Sequence, residues 1–339
     1  LRGMVYMWKK EYGLAISDFE EVKKCGYDLW DGAYIDFFKY ENEKNKEMIF
    51  PLQYDEASGY CDNIQLMVGA RDHYDCWTEL MPSADFVDYY RNNDGSEFNW
   101  NTYLNGWDEL TPVQREVFFL RDNLTSNQSA YNDATTRVGA EIMSKYYLNS
   151  GNEARVKKAY ESRDPRLQQT VITPYSAVNC YSPYYNSGNP MQNKVLRWPY
   201  LNRGGDNGDM WHDKRNSGYY IYKKYNETEK GRYIDRLRCH CDFPLIRFTD
   251  VWLLYAEALN EKDRLDEAIV VVNKVRARAG MGDLVKNGTG YNSVSGKEDM
   301  RERIRYERRV ELCLEGVNYF DEIRWGTYKE SKFRDGTNG

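Results

Sequence analysis

Apolar residues recur at Met300, Ile304, Val310, Leu314, Val317, Phe320 and Ile323, close to a 3.6-residue period. Charged residues fill the positions between them, so residues 297–325 predict one long amphipathic helix. Residues 1–29 read as two helices with a turn near Tyr12-Gly13, and Gly26 stands where a cap is expected. There Gly3-x-x-Tyr6 is followed, nine residues after Tyr6, by Ala15-x-x-x-Phe19. The same grammar returns in Trp252-x-x-Tyr255-Ala256-x-x-Leu259 and Ala268-x-x-x-Val272. Those two helices, within residues 248–280, are joined near residues 262–265, and Gly280 closes the second. Small residues at fixed offsets let paired helices approach closely while large ones fill the groove, which is tetratricopeptide spacing.

Between the two repeats the pattern changes. Residues 47–54 form a short apolar run that predicts a strand, and Asn92 to Ser96 are turn residues. Thr111-Pro112 supplies an N-cap and a first-turn proline for a helix. From Thr173 to Tyr225 helical periodicity fades, and Tyr, Trp, Asn, Gly and Pro dominate. Only residues 219–225 alternate well enough for a strand, so their rings are assigned to packing.

Composition sharpens this. The chain of 339 residues carries 30 Tyr, 12 Phe and 9 Trp, so aromatics make up 15% and exceed what core filling alone requires. The net charge of −6 argues against a nucleic-acid partner. No apolar run approaches the roughly 18 residues that cross a bilayer. The first residues already read as a helix in progress, so the chain reads as a piece of a longer protein. Seven cysteines leave at least one unpaired within the chain, and Cys25 and Cys313 are expected to be small buried hydrophobes.

Hydroxyl-rich ligands such as sugars need exposed aromatic planes with polar groups at their edges. Tyr184, Tyr185, Trp198 and Trp211 are the expected platforms, with Asn189, Arg203, Asp206 and Asn207 as edge groups. Asn99-Trp100-Asn101-Thr102-Tyr103 with Trp107 forms a second candidate cluster. Catalytic and metal signatures are weak. No Gly-x-Ser-x-Gly or His-Glu-x-x-His occurs, and the ligands of Cys239-His240-Cys241 are too closely spaced for zinc. Residues 290–297 only mimic a phosphate loop, and Asp206-Asn207-Gly208-Asp209 lacks EF-hand spacing. No cofactor and no metal are therefore expected, while paired carboxylates for glycoside hydrolysis leave no spacing signature to test.

One long motif carries more information. Glu307-Arg308-Arg309-Val310-Glu311-Leu312, then Glu315-Gly316, Phe320-Asp321 and Arg324-Trp325, resembles the carboxy-terminal signature of the SusD/RagB family of surface nutrient-binding lipoproteins of Bacteroidetes. Residues 243–248, 275–280 and Arg163-Asp164-Pro165-Arg166-Leu167 are similar to further family stretches. An Arg pair among three Glu on a half-buried helix suits internal ion pairs that fix helix docking, and Arg163 and Arg166 suit a structural clamp.

The resemblance implies a mainly α fold, with tetratricopeptide-like helical repeats around a large, irregular, loop-rich insertion containing short strands. It divides the chain into a repeat pair at 1–45, a variable aromatic-rich ligand region at 46–240, and a second pair with the long helix at 241–339. These are expected to form one globular unit. It also implies a non-enzymatic glycan binder at the cell surface, held to the outer membrane by a lipid anchor and working with a SusC-like TonB-dependent transporter. A RagB-like peptide binder is the alternative, and a glycoside hydrolase the third reading.

Overall fold

The computed structural model describes residues 1–70, 73, 76–180, 192–195, 197, 220–226 and 236–332. In chain order it opens with helices α1 (Arg2–Trp8) and α2 (Tyr12–Lys24), then strand β1 (Met48–Leu52). Helices α3 (Ile64–Val68), α4 (Ala84–Tyr89), α5 (Gln128–Val138), α6 (Ala140–Tyr146), α7 (Asn152–Glu161) and α8 (Arg166–Thr170) follow. Strands β2 (Val171–Ile172), β3 (Ala177–Cys180), β4 (Gln192–Val195), β5 (Ile221–Tyr222) and β6 (Phe243–Arg247) come next. The chain returns to helices with α9 (Phe248–Glu261) and α10 (Leu265–Ala279). Strands β7 (Val285–Lys286) and β8 (Ser293–Val294) precede α11 (Lys297–Glu311), α12 (Val317–Trp325) and α13 (Tyr328–Lys332). Two compact units result. One holds Leu1–Gln53, Asp94–Ser96 and Cys241–Gly339, and the other Tyr54–Asn93 and Glu97–His240.

In the first unit the repeat grammar becomes packing. Helix α2 lies against α9, and α9 lies against α10 and α11. The small positions Ala15, Ala256 and Ala268 are fully buried, and Phe19, Trp252, Leu259 and Val272 fill the space around them. Trp252 donates its indole N–H to the Val271 carbonyl at 3.1 Å, so its one polar atom is satisfied in the core. The first turn falls slightly earlier than expected: residues 9–11 link the helices, and Tyr12-Gly13 already belong to α2. Gly3 shows why the first position must be small. A Cβ there would lie 2.7 Å from the Phe19 ring and 3.1 Å from the Asp18 Cβ. Gly3→Ala should therefore destabilise the protein by about 1–2 kcal/mol. Helix propensity alone favours Ala by ~1 kcal/mol, so a stabilised variant in urea denaturation would refute the close approach as the reason for glycine.

The long helix expected over residues 297–325 is broken in two. Leu314 and Gly316 take left-handed conformations, with φ of 62° and 76°, and residues 312–316 form a turn between α11 and α12. Leu312 and Cys313 are buried in this turn, so Cys313 is a buried hydrophobe as expected but outside any helix. The apolar period continued across a break it could not reveal. Met300, Ile304 and Val310 are buried, yet Phe320 and Ile323 are 57% and 40% exposed. Cys25 is also exposed, contrary to expectation, because it follows the free C-terminal end of α2.

The expected ion pairs are present, with partners from other elements. Glu307 pairs with Arg276 at 2.7 Å, and Glu311 and Glu315 pair with Arg247 at 3.0 and 2.6 Å. Arg308 joins Asp250 on α9 to Asp321 on α12, at 2.8 and 2.6 Å, and so spans the helix break. The strand expected at residues 47–54 is β1, which pairs antiparallel with β6.

In the second unit Thr111 is hydrogen-bonded to Gln114, although Val113 is the N-cap of the segment that follows. Gln114 Oε1 accepts from the Thr111 backbone N–H at 2.9 Å, and Thr111 Oγ1 accepts from that of Gln114 at 3.4 Å. The cap opens a 3-10 turn, Gln114–Phe119, rather than an α-helix. Here Val117, Phe118 and Phe119 must all turn inward within three residues. Asn152, fully buried, holds this segment by donating to the carbonyls of Val117, Phe118 and Leu120. Arg163 and Arg166 act as the expected clamp. Arg166 forms a buried pair with Asp164 at 2.6 Å, and Arg163 holds the carbonyls at the end of α4. The short strands pair locally, β2 with β5 and β3 with β4.

Candidate functional site

The segment expected to bind ligand is anchored by short strands with clear alternation. Val178 on β3 turns inward to pack with Ala70, Ile172 and Ile221. The period of two then sends Ala177 and Asn179 to the other face, with their cross-strand partners Val195 and Asn193 on β4. That face is open: Ala177, Asn193 and Val195 are exposed, and Asn193 donates its side-chain amide to Asn179 Oδ1 at 3.1 Å. The two amides keep further donors and acceptors for a polar ligand.

Tyr184, Tyr185 and Asn189 fall in sequence between β3 and β4; Trp198, Arg203, Asp206, Asn207 and Trp211 fall between β4 and β5. All eight lie outside the described residues. The far end of the segment is core, as its alternation indicated. Tyr220 and Tyr222 are buried, and the hydroxyls of Tyr220 and Tyr160 share a hydrogen bond of 2.9 Å. Burial, joined by the charge of Asp88 on Tyr220, holds both phenols above the usual tyrosine range and neutral. Tyr175, at the near end, is also buried and donates to the Phe119 carbonyl at 2.5 Å.

The second candidate cluster is packed into the unit at its Trp100 side. Trp100 is buried, with Phe119 and Tyr160 edge-on to it, and Trp107 stacks on it at 4.8 Å. The Arg115 guanidinium lies 4.8 Å from the ring centre of Trp107, which is half-buried. The indole N–H of Trp100 donates to Asp88 at 2.9 Å. Burial raises the Asp88 carboxyl above its ordinary range, although Trp100 and the Arg163 charge pull the other way. Asn101 is tied to Asp108 and Tyr103 to Asn92. These rings anchor the unit's core, because residues 98–119 pack aromatic on aromatic rather than presenting planes to solvent.

One tryptophan that sequence reasoning passed over is better presented. Trp77 is 43% exposed, and its backbone N–H donates to the Leu66 carbonyl at 2.9 Å. Thr78 beside it adopts φ of 53°, rare for a β-branched residue, and is held by two hydrogen bonds to the Gly69 carbonyl. The half-exposed ring therefore stands on a strained, tethered backbone. Its only sequence signal is a tryptophan in a stretch without helical period.

Among the described residues no group of three or more His, Cys, Asp or Glu converges to hold a metal. No described helix is long and apolar enough to cross a membrane.

Comparison with known proteins places this geometry. The model of the SusD family matches residues 37–339. A SusD-like protein, P38, of Formosa agariphila is 38% identical over 82 residues, covering 24% of this chain and 16% of that protein. A SusD-like carbohydrate binding protein of Bacteroides fragilis superposes with a TM-score of 0.61 at 21% identity, over 98% of this chain and 52% of its own. A structure solved with xylogluco-oligosaccharide gives a TM-score of 0.53 at 17% identity, over 95% of this chain and 47% of its own. The chain thus spans about half the length of the solved structures it resembles. At these identities the superpositions show a shared fold, the mainly α architecture with tetratricopeptide-like repeats. With a family match over most of its length, on top of the repeat grammar and the ion-paired carboxy-terminal motif, the chain belongs to the SusD family.

Proposed function

We propose that this protein captures glycans at the cell surface, without cleaving them, and passes them to a SusC-like TonB-dependent transporter in the outer membrane, to which a lipid anchor holds it. The observation that carries this reading is the family match over residues 37–339. Two features support it. A relative of the same fold is named as a carbohydrate binding protein, and another was solved with an oligosaccharide. Asn179 and Asn193 also share the open face of the paired strands β3 and β4, which flank a Tyr-rich stretch in the sequence.

Ring faces shed water at little cost, whereas most hydroxyl contacts exchange with water. Trp198, Trp211, Tyr184 and Tyr185 therefore supply most of the net binding, with Asn189, Arg203 and Asp206 fixing orientation. A few such platforms give roughly −4 to −7 kcal/mol, about millimolar to ten micromolar. Weak capture suits a protein that hands its cargo on. The test begins with affinity electrophoresis of the intact protein against plant, host and microbial polysaccharides, with a peptide library beside them. Calorimetry on Trp198→Ala and Trp211→Ala follows, where loss of each true platform should cost about 1–2 kcal/mol. If both variants bind like the parent while Trp77→Ala does not, the site lies at the Trp77 loop. Release of shorter products from the bound glycan would overturn the non-enzymatic reading.

A further inference from the structure

The helical unit contains a cavity of about 440 Å³ between the α1–α2 turn and helices α9, α11 and α12. That volume lies in the range of small-ligand pockets. Its floor is apolar, with Met7 and Ile304, and its walls are charged. The carboxylates on those walls are already engaged. Glu257 accepts from both terminal nitrogens of Arg324 and from the Trp325 indole, and Arg301 bridges Glu261 and Glu298. A cation would find these groups neutralised.

The donors on the opposite side are in a different state. Lys10 and Tyr12 line the cavity and make no side-chain hydrogen bond or ion pair with any described residue. Lys10 sits at φ of 58°, a left-handed position that favours Gly or Asn, yet the chain places a long cation there. Arg305 has one acidic partner, Glu302, which is 63% exposed and one turn back on the same helix, so the pair holds it weakly. Of the four lining cations, Arg301, Arg305 and Arg324 each have an acidic partner, which leaves Lys10 as the one without an acid among the described residues.

The Trp325 ring lies within 5.1 and 5.3 Å of the Arg305 and Arg324 guanidinium carbons. Two cations already share that ring, which suits an anionic ligand better than an uncharged one. We propose that this cavity is a second ligand site, which takes an acidic sugar residue by its carboxylate, with Arg305, Lys10 and Tyr12 as the donors. The proposal rests on the glycan-capture reading for the class of ligand but uses none of the aromatic segment's residues. Arg305 offers the planar fork that matches a carboxylate, Lys10 adds a point charge, and Tyr12 donates its hydroxyl. Polar walls suit the ring hydroxyls, and the small apolar floor gives little to a peptide side chain.

The test is a calorimetric and ligand-observed NMR titration of the intact protein with galacturonic acid oligomers, beside galactose oligomers of equal length and a dipeptide with a free C-terminal carboxylate. The acidic oligomer should bind, weaken as salt rises, and lose at least tenfold in affinity in Lys10→Asn and in Arg305→Gln. Lys10→Asn suits the left-handed backbone, so its fold is not at risk, and thermal melting checks both variants. The same oligomer should still bind Trp198→Ala and Trp211→Ala at this site, which separates failure here from failure of the aromatic segment. Equal binding of the neutral oligomer, tighter binding of the dipeptide, or unchanged affinity in both Lys10→Asn and Arg305→Gln would overturn the assignment.

Discussion

Arg247→Met should cost about 3–5 kcal/mol of stability, enough to unfold a marginal domain at ordinary temperatures. Arg247 is 1% exposed, and its five N–H groups meet five acceptors. Nε and one Nη2 hydrogen go to Glu315, Nη1 serves Glu47 and Glu311, and the other Nη2 hydrogen reaches the Glu311 carbonyl. The acceptors come from the residue before β1, the end of α11 and the turn before α12, so one side chain ties three parts of the unit together. Methionine fills similar space but takes a counter-charge from three buried carboxylates, of which Glu47 and Glu311 then share Arg278, and that loss costs more than the intact pairs contribute. Denaturant titration followed by circular dichroism measures the loss, and Arg264→Met on the exposed Arg264–Glu267 pair is the control, expected to change little.

The same lattice sets an acid limit. Burial alone would raise the Glu47 carboxyl, but the charges of Arg278 and Arg247, with hydrogen bonds from Thr249 and the Trp30 backbone, hold it below its ordinary range. A carboxylate depressed in the folded state contributes stability above the ordinary carboxylate range, near pH 4, and loses it as pH falls through the folded value. Glu47→Gln should therefore unfold more easily than the parent at neutral pH and converge with it in acid. A stability gap that widened below pH 4 would show that Glu47 is not held as a carboxylate.

Arg163→Met should cost a similar ~3–5 kcal/mol, and for a different reason. Arg163 is 2% exposed and donates to the carbonyls of Val87 at 2.7 Å, Asp88 at 3.1 Å and Tyr90 at 2.8 Å. All three belong to the last turn of α4 or the residue after it, where helical carbonyls lack partners of their own. A guanidinium there also opposes the negative end of the helix. Its carbon sits 3.4 Å from the Phe98 ring centre, so the cation is stacked as well as bonded. Removing it orphans several buried acceptors at once and frees the aromatic core that begins at Phe98. Loss of near-ultraviolet dichroism from Trp100 and Trp107 should accompany the drop in stability. A variant that keeps that signal and melts within about a degree of the parent would show that α4 is held by packing alone.

Local spacing determined much of this protein. The repeat pairs at 1–29 and 248–280 were legible because small and large residues at fixed offsets act between neighbouring helices, whose geometry is set by the chain itself. The Thr111-Pro112 start and the alternation before Tyr225 likewise rest on near neighbours. The sequence also marked Glu307, Glu311 and Glu315 as ion-pair partners by their place among arginines. Only the tertiary structure decided which arginines they meet, since Arg247 and Arg276 come from 31 to 68 residues away. It also decided that the period over 297–325 stops at Leu314, because hydrophobic spacing carries no term for a left-handed residue in mid-run. Trp100 could not be told from a ligand platform by type, as a tryptophan in a turn is equally suited to either place. Among the rings packed on it is Tyr160, 60 residues downstream, and such a contact exists only once the chain has folded.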